Sequence, residues 1–297
     1  MQTKIFHLHA LSALHVGTGQ GVGVVDLPIA RAKATNLPLV PGSALKGVLR
    51  DEAQTQLGLK DDQIRSLFGP DNTVEDSHAG ALALGDAHLL LLPIRSFAGT
   101  VAYATCPFIL RRYARDQQVS IPVVGLVKSE TAAVTQDSVL YVDKAETKLA
   151  LEDLDLSANT LDSVDEWAAY IAAQLYPESV LQHEAWREQV TQRFVILPDD
   201  IFSFLADTAT EVRMRIRLDR ETRMVQNGAL WSEENLPAEA VLWGLMGIGA
   251  ARDKSKATEQ DMADLVKNQE IALQIGGKHT VGRGLCRLLI GSQEVSA

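Results

Sequence analysis

The chain has 297 residues, 46% of them hydrophobic and 22% charged, and a formal net charge of −10 with a pI near 5.2. Those values fit a soluble globular protein with a sizeable core, about two domains or one with large insertions. They exclude the usual basic footprint of a nucleic-acid binder. The longest apolar run, AVLWGLMGIGAA at 240–251, is too short to cross a bilayer.

Residues 3–16 read as a strand, with Phe6, Leu8, Ala10, Leu14 and Val16 on one face and His7, His9 and His15 on the other. Lys4, His7 and His9 also interrupt any signal-peptide layout. Residues 17–41 read as a long loop with glycines at 17, 19, 21 and 23 and a lone acid, Asp26. Loops of that length inside a compact domain are usually functional or disordered. Residues 43–57 predict a helix with Ser43 as N-cap and an apolar stripe from Leu45, Val48 and Leu49. One or two buried strands follow at 80–94, then a short helix over 105–116 carrying Arg111, Arg112 and Arg115.

Residues 143–166 hold eight acids against two lysines, so the rest of the chain is only −4 and local basic surfaces are possible. An acidic helical insertion is expected over about 143–193, with a capping-box spacing at Ser163 and Glu166 and a stripe of Val164, Trp167, Ile171 and Leu175. EVRMRIRLD at 211–219 alternates strictly: Val212, Met214, Ile216 and Leu218 face one way, Arg213, Arg215 and Arg217 the other. Asn227-Gly228 signals a tight hairpin turn. Residues 239–250 read as a buried helix or strand, 258–268 as a helix and 284–290 as a final strand. Strands at both ends with helices between them give an α+β, ferredoxin-like sandwich with insertions.

Familiar chemical motifs fail. The alternating glycines never satisfy the dinucleotide fingerprint, because Val22, Val24 and Asp26 stand where its third glycine is needed. Gly277-Lys278 is followed by His279, not Ser or Thr, so there is no P-loop. His7-x-His9 has no barrel pattern behind it, and Cys106 and Cys286 lack metal spacing; free thiols in a reducing cytosol are expected. Three basic, glycine-adjacent elements remain. PGSALKGVLR places Gly42, Ser43, Lys46 and Arg50 at a helix N-terminus, where free N–H groups favour an anion. GGKHTVGRG at 276–284 can turn backbone N–H groups toward a phosphate beside Lys278 and Arg283. The Arg213, Arg215 and Arg217 ladder needs acids or phosphates to neutralise it. Each also has a plain structural reading: a capped amphipathic helix, a tight hairpin, a salt-bridged face.

Four stretches together resemble the RAMP superfamily of the CRISPR systems, and within it the backbone subunit of the type III-B (Cmr) effector. They are HVGTG with the following Asp26, PGSALKGVLR, NGALWSEENLP at 227–237 and GGKHTVGRGLCRL at 276–288. The resemblance implies one RAMP domain over 1–297: an RRM-like core with inserted elements and a projecting thumb hairpin at about 211–236. It implies guide RNA, target RNA, further copies of the chain in a helical filament and other type III effector subunits as partners, with no membrane, in the cytoplasm. It also implies cleavage of complementary target RNA with a divalent ion, Mg²⁺, and it puts the cleavage aspartate at Asp26, which would also hold the metal. One carboxylate can bind such an ion or take the proton of a ribose 2′-hydroxyl, a group only RNA supplies. His15, Glu233 and Glu234 are the expected supports, one glutamate at the site and the other facing solvent. Gly42, Ser43, Lys46, Arg50, the three ladder arginines, Gly276, Gly277, Lys278, Thr280, Gly282, Arg283 and Gly284 are the expected RNA contacts. Other readings stay open: a scaffold that only holds the guide, or an endonuclease that processes precursor guide RNA. Trp231 stacks on RNA or fills core.

Overall fold

A computed structural model describes residues 1–20, 24–70, 77–123, 125, 131–267 and 270–294; Gly21 and Gly23 of the glycine run lie outside them. The chain opens with β1 (Gln2–Ala10), β2 (Leu39–Val40), α1 (Gly42–Gln56), α2 (Asp61–Phe68), β3 (Leu82–Leu84) and β4 (Ala87–Arg95). A long middle section follows: β5 (Val101–Thr105), α3 (Pro107–Gln117), β6 (Thr131–Val134), β7 (Tyr141–Asp143), β8 (Lys148–Leu151), β9 (Leu154–Thr160), α4 (Asp162–Leu175), α5 (His183–Thr191), β10 (Phe194–Ile196) and α6 (Asp199–Thr208). The hairpin β11 (Glu211–Leu218) and β12 (Val225–Asn235) then leads into β13 (Val241–Ile248), α7 (Glu259–Asp264), β14 (Glu270–Gln274) and β15 (Leu285–Glu294).

One end of the main sheet runs β14-β15-β1-β13-β4. Within it, β15, β1, β13 and β4 are antiparallel neighbours and stand as the fourth, first, third and second strands of a βαββαβ unit whose helices are α1 and α7. This is the expected RRM-like α+β core. Everything from 96 to 240 is spliced in between its second and third strands, and the sheet continues through β5, β10, β6, β9, β8 and β7. The helices expected over 143–193 are α4 and α5, so they form one part of this longer section.

Central position explains the burial of β1. It pairs with β13 on one edge and β15 on the other. Its alternating face is closed by helices: His7 Nε2 lies 2.6 Å from the Tyr113 hydroxyl of α3, and His9 stands edge-on to Tyr176 after α4. Burial drives the His7 pKa down to about 4, so it is a neutral packing residue at physiological pH. Tyr113, Trp167 and Trp243 fill the same region; truncating one such aromatic typically costs about 3–5 kcal/mol. On α1, Leu45, Leu49 and Ala53 recur at helical spacing and are buried, with α2, β3 and β14 as neighbours.

Several local expectations are corrected. The first strand stops at Ala10, and residues 11–16 run on as irregular chain. Pro41, not Ser43, is the N-cap of α1, and α4 is capped at Leu161 without a side-chain bond. The acidic 143–160 stretch is strands joined by tight turns, not helix: Leu149, Leu151, Leu156 and Ala158 point inward while the acids stay outside, most of them in the turns. The hairpin turn lies at 219–224, where Asp219 Oδ1 accepts the N–H groups of Glu221 and Thr222 and the Thr222 hydroxyl. Asn227 and Gly228 sit inside β12, opposite an irregularity in the register between Ile216 and Leu218. The turn chemistry of Asp219 outcompetes the Asn-Gly signal.

Candidate active site

The buried end of β12 organises the site. Its first seven residues, 225–231, are exposed or half-buried, and the last four, 232–235, are buried. The loop that follows the glycine run docks on its free edge: the Leu27 N–H donates to the Ser232 carbonyl at 3.1 Å, and the Glu234 N–H donates to the Leu27 carbonyl at 3.0 Å. Alternation along β12 puts Ser232 and Glu234 on one face and Trp231, Glu233 and Asn235 on the other.

Asp26 meets Ser232 in a reciprocal contact. Asp26 Oδ2 accepts the Ser232 N–H at 2.7 Å and the Ser232 hydroxyl at 2.8 Å, while the Asp26 N–H donates to Ser232 Oγ at 2.9 Å. The side chain is exposed. The Ser232 backbone N–H first, and its hydroxyl second, hold the Asp26 carboxyl below its ordinary pKa, so it is ionised at physiological pH.

Glu234 is the loop's anchor. Its Oε2 accepts the Ile29 N–H at 3.1 Å, and its Oε1 accepts Arg31 at 2.6 Å and the Thr210 hydroxyl at 3.0 Å. Arg31 goes on to the carbonyls of Asn36 and Ala206 and pairs with Asp207 at 3.1 Å. Glu234 is thus 6% exposed and committed to structure.

His15 is buried against the same strand, its Nδ1 2.6 Å from the Glu234 carbonyl. A carbonyl only accepts, so Nδ1 carries the hydrogen and Nε2 is the nitrogen left for proton exchange. The bond lies two β12 positions from Ser232, roughly 7 Å along the strand. Glycines make room for this histidine. A Cβ on Gly17 would come within 2.8 Å of His15 Nε2, and one on Gly276, at φ +88°, would meet the His15 carbonyl oxygen at 2.2 Å. The same carbonyl accepts the Gly277 N–H at 2.8 Å.

Glu233 faces the other way and is 0% exposed. Neither of its oxygens has a hydrogen bond, yet Arg215 Nε lies at 3.6 Å, Arg283 Nε at 3.7 Å and Lys278 Nζ at 4.0 Å. Three cations share one buried acid, which leaves a net positive group. Lys278 also lies 5.9 Å over the Trp231 ring. The expectation that one of the two glutamates faces solvent is corrected: both are buried, one as anchor and one as counter-charge.

The remaining expected contacts separate into three groups. Gly276, Gly277, Lys278, Thr280, Gly282, Arg283 and Gly284 form the β14–β15 connection, with a 3-10 turn at His279–Val281. Arg213 pairs with Glu211, and Arg217 continues the same exposed face of β11. Gly42, Ser43, Lys46 and Arg50 sit on α1 and differ in environment. The Gly42 N–H already donates to Asp86 at 2.9 Å, and a Cβ there would meet the Leu84 oxygen at 2.3 Å. Lys46 Nζ donates to the Leu82 carbonyl at 2.7 Å; burial, then Arg50, lower its pKa. Glycine is therefore needed at position 42 for the packing of α1 against β3.

Among the described residues no group of three or more His, Cys, Asp or Glu could hold a metal ion. Asp26 contributes one carboxylate whose Oδ2 is engaged. That donor set fits a Mg²⁺ ion shared with RNA phosphates and water, and does not fit an all-protein cage. Also among the described residues, no helix is long and apolar enough to cross a membrane. Ser232, Arg31 and Thr210 are the residues that sequence reasoning missed. Pairing Arg213 and Arg215 with β12 would have placed Glu233 beside them and Ser232 on the opposite face.

An RRM-like core with a glycine-rich β14–β15 connection and a projecting two-stranded hairpin is the architecture of a known class. The model described as the RAMP superfamily matches residues 7–287, and the chain belongs to that superfamily. It is 29% identical over 299 residues to the CRISPR system Cmr endoribonuclease Cmr4 of Pyrococcus furiosus, covering 98% of this chain and 96% of that protein. It is 22% identical to the CRISPR system CMR subunit Cmr4 of Saccharolobus solfataricus, over 96% of this chain and 95% of that one. Its fold is similar to the crystal structure of oligomeric Cmr4 from Pyrococcus furiosus (TM-score 0.73, 24% identity, all of both chains). A chain in the cryo-EM structure of the Type III-B Cmr-beta bound to cognate target RNA matches with TM-score 0.72 at 21% identity, over 98% of this chain and 97% of that one.

Proposed function

We propose that this chain is the backbone subunit of a type III-B CRISPR effector, which holds guide RNA and cuts complementary target RNA in antiviral defence. Its partners are guide RNA, target RNA, further copies of itself in a helical filament and the other effector subunits, in the cytoplasm. The observation that carries the reading is Asp26: an ionised, exposed carboxylate fixed at the root of the projecting hairpin. The near full-length likeness to a protein named an endoribonuclease supports it.

In the proposed reaction the 2′-oxygen of the target ribose bonds to the adjacent phosphorus and the bond to the 5′-oxygen breaks. The 2′-proton passes to a base and the leaving oxygen gains a proton. Asp26 is in the form that accepts a hydrogen bond from the 2′-hydroxyl, and His15 Nε2 is the nearby nitrogen able to exchange a proton. A Mg²⁺ held between Asp26 and RNA phosphate would add charge stabilisation at the phosphoryl group. Lys278, Arg283 and Arg215 hold the RNA backbone; the N–H groups of Gly277, Gly282 and Gly284 are taken by the carbonyls of His15, His279 and Ala13, so these glycines shape the loop that presents the cations and Thr280. Glu233 keeps those cations together. The exposed apolar side of the hairpin, Met214, Ile216 and Leu230, offers unstacked bases a surface beside Asp26. Base pairing with the guide carries sequence specificity.

The test is a reconstituted complex with guide and labelled matched RNA, with and without Mg²⁺. Regular cuts that vanish in Asp26→Ala while binding persists are expected. Tight binding without cuts in either protein would make the chain a scaffold. Cutting of repeat RNA by the purified chain alone would make it a processing endonuclease.

A further inference from the structure

The geometry points to Ser232 as a positioning residue for cleavage: its reciprocal contact fixes which oxygen of Asp26 is presented to the RNA. This rests on the reading of Asp26 as the reacting carboxylate.

Two features of the contact carry the inference. Both Ser232 donors converge on Oδ2, at 2.7 and 2.8 Å, and the return bond from the Asp26 N–H at 2.9 Å closes the pair. A carboxylate held this way on one oxygen cannot turn about its Cβ–Cγ bond, and it directs Oδ1 outward. Only a small residue with a hydroxyl supplies both a donor for the carboxylate and an acceptor for the aspartate's own N–H. Ser232 is also the first buried residue of β12, directly after the exposed stretch 225–231. A shift of the hairpin at Ser232 therefore acts directly on the Asp26 carboxylate, while the Leu27 bonds to Ser232 and Glu234 hold only the neighbouring backbone. The neighbouring anchor, Glu234 with Arg31, holds the loop from Ile29 onward and leaves the orientation of Asp26 itself to Ser232.

The Ser232 hydroxyl makes two of the three bonds, and Ser232→Ala removes both while keeping the backbone N–H. Misplacing a reacting group by about 1 Å can cost on the order of 10²-fold in rate. Ser232→Ala, Ser232→Thr, Ser232→Cys and Asp26→Ala would each be assembled with guide RNA. Target binding and single-turnover cleavage would be measured separately, with substrate saturating. The expected result is cleavage by Ser232→Ala slowed about 10- to 100-fold, with unchanged target affinity and unchanged cut positions. Ser232→Thr, which restores the hydroxyl, should cut within a few-fold of wild type. Wild-type cleavage by Ser232→Ala, with Asp26→Ala inactive, would overturn this inference and leave the function intact. Cleavage by Asp26→Ala at the wild-type rate would instead remove the function reading beneath it. Equal losses of binding and cutting in Ser232→Ala and Ser232→Thr would mark a merely structural role and also overturn it. If Ser232→Ala does not assemble, Ser232→Cys decides: with a poorer donor and acceptor it should bind normally and cut slowly, and wild-type cutting would refute the inference.

Discussion

The N-terminus of α1 and the connection between β14 and β15 carry the same ingredients: glycine, a lysine and an arginine within a short span. They end in opposite environments. At α1, Asp86 already takes the first free N–H, and Lys46 is drawn to the Leu82 carbonyl. At the other loop, Lys278 and Arg283 join Arg215 around the single buried carboxylate of Glu233, at separations of 3.6–4.0 Å without a hydrogen bond. Lys278 and Arg215 side chains remain 32% exposed, so their other donors are open to an anion. The same ingredients leave positive charge in excess around Glu233 in one place and meet protein acceptors in the other.

That contrast can be broken by substitution. The largest effect belongs to Glu233→Ala, which strands three cations around an empty volume. Breaking a buried ionic group by removing one partner costs about 3–5 kcal/mol, and urea denaturation reads it. A loss under about 1 kcal/mol, the level of exposed pairs, would mean that the cations relax into solvent and the group is not preassembled. Next, Lys278→Ala with Arg283→Ala should weaken guide-RNA retention and lower the salt slope by about one for each phosphate no longer neutralised. Charge reversal at Lys46 and Arg50 should do so less, as Lys46 is already drawn to the Leu82 carbonyl. Equal effects from the two regions would erase the distinction. Smallest is Asp86→Ala. Loss of the acceptor at the α1 N-terminus should cost about 1 kcal/mol in stability, as for other helix caps, and leave RNA retention unchanged.

The parts of the fold that could be read from sequence are those with an unbroken period. EVRMRIRL gave its strand and both of its faces, and Leu45, Leu49 and Ala53 marked the buried side of α1. The strands β7 to β9 were hidden because the acids of their turns, Glu146, Glu152 and Asp153, together with Asp143 and Asp155 on the strands, read as one charge run. Asn227-Gly228 misled because turn preference is local, whereas the Asp219 side chain closes its turn with three bonds. The site was legible in part. Asp26 stood out only through the resemblance, since a lone loop acid carries no pattern. Ser232 had no signal of its own, because its role comes from a contact across 206 positions of sequence. Glu233 and Glu234 are adjacent in sequence and do different work, which only strand alternation and the docked loop reveal.

The most direct measurement is target cleavage by the assembled complex, wild type beside Asp26→Ala, with binding followed in parallel. General acid–base groups typically contribute about 10²- to 10⁴-fold, so the variant should bind matched RNA normally and cut it slower by at least that order. Regular cuts at the wild-type rate from Asp26→Ala would contradict the account and move the chemistry away from the root of the hairpin.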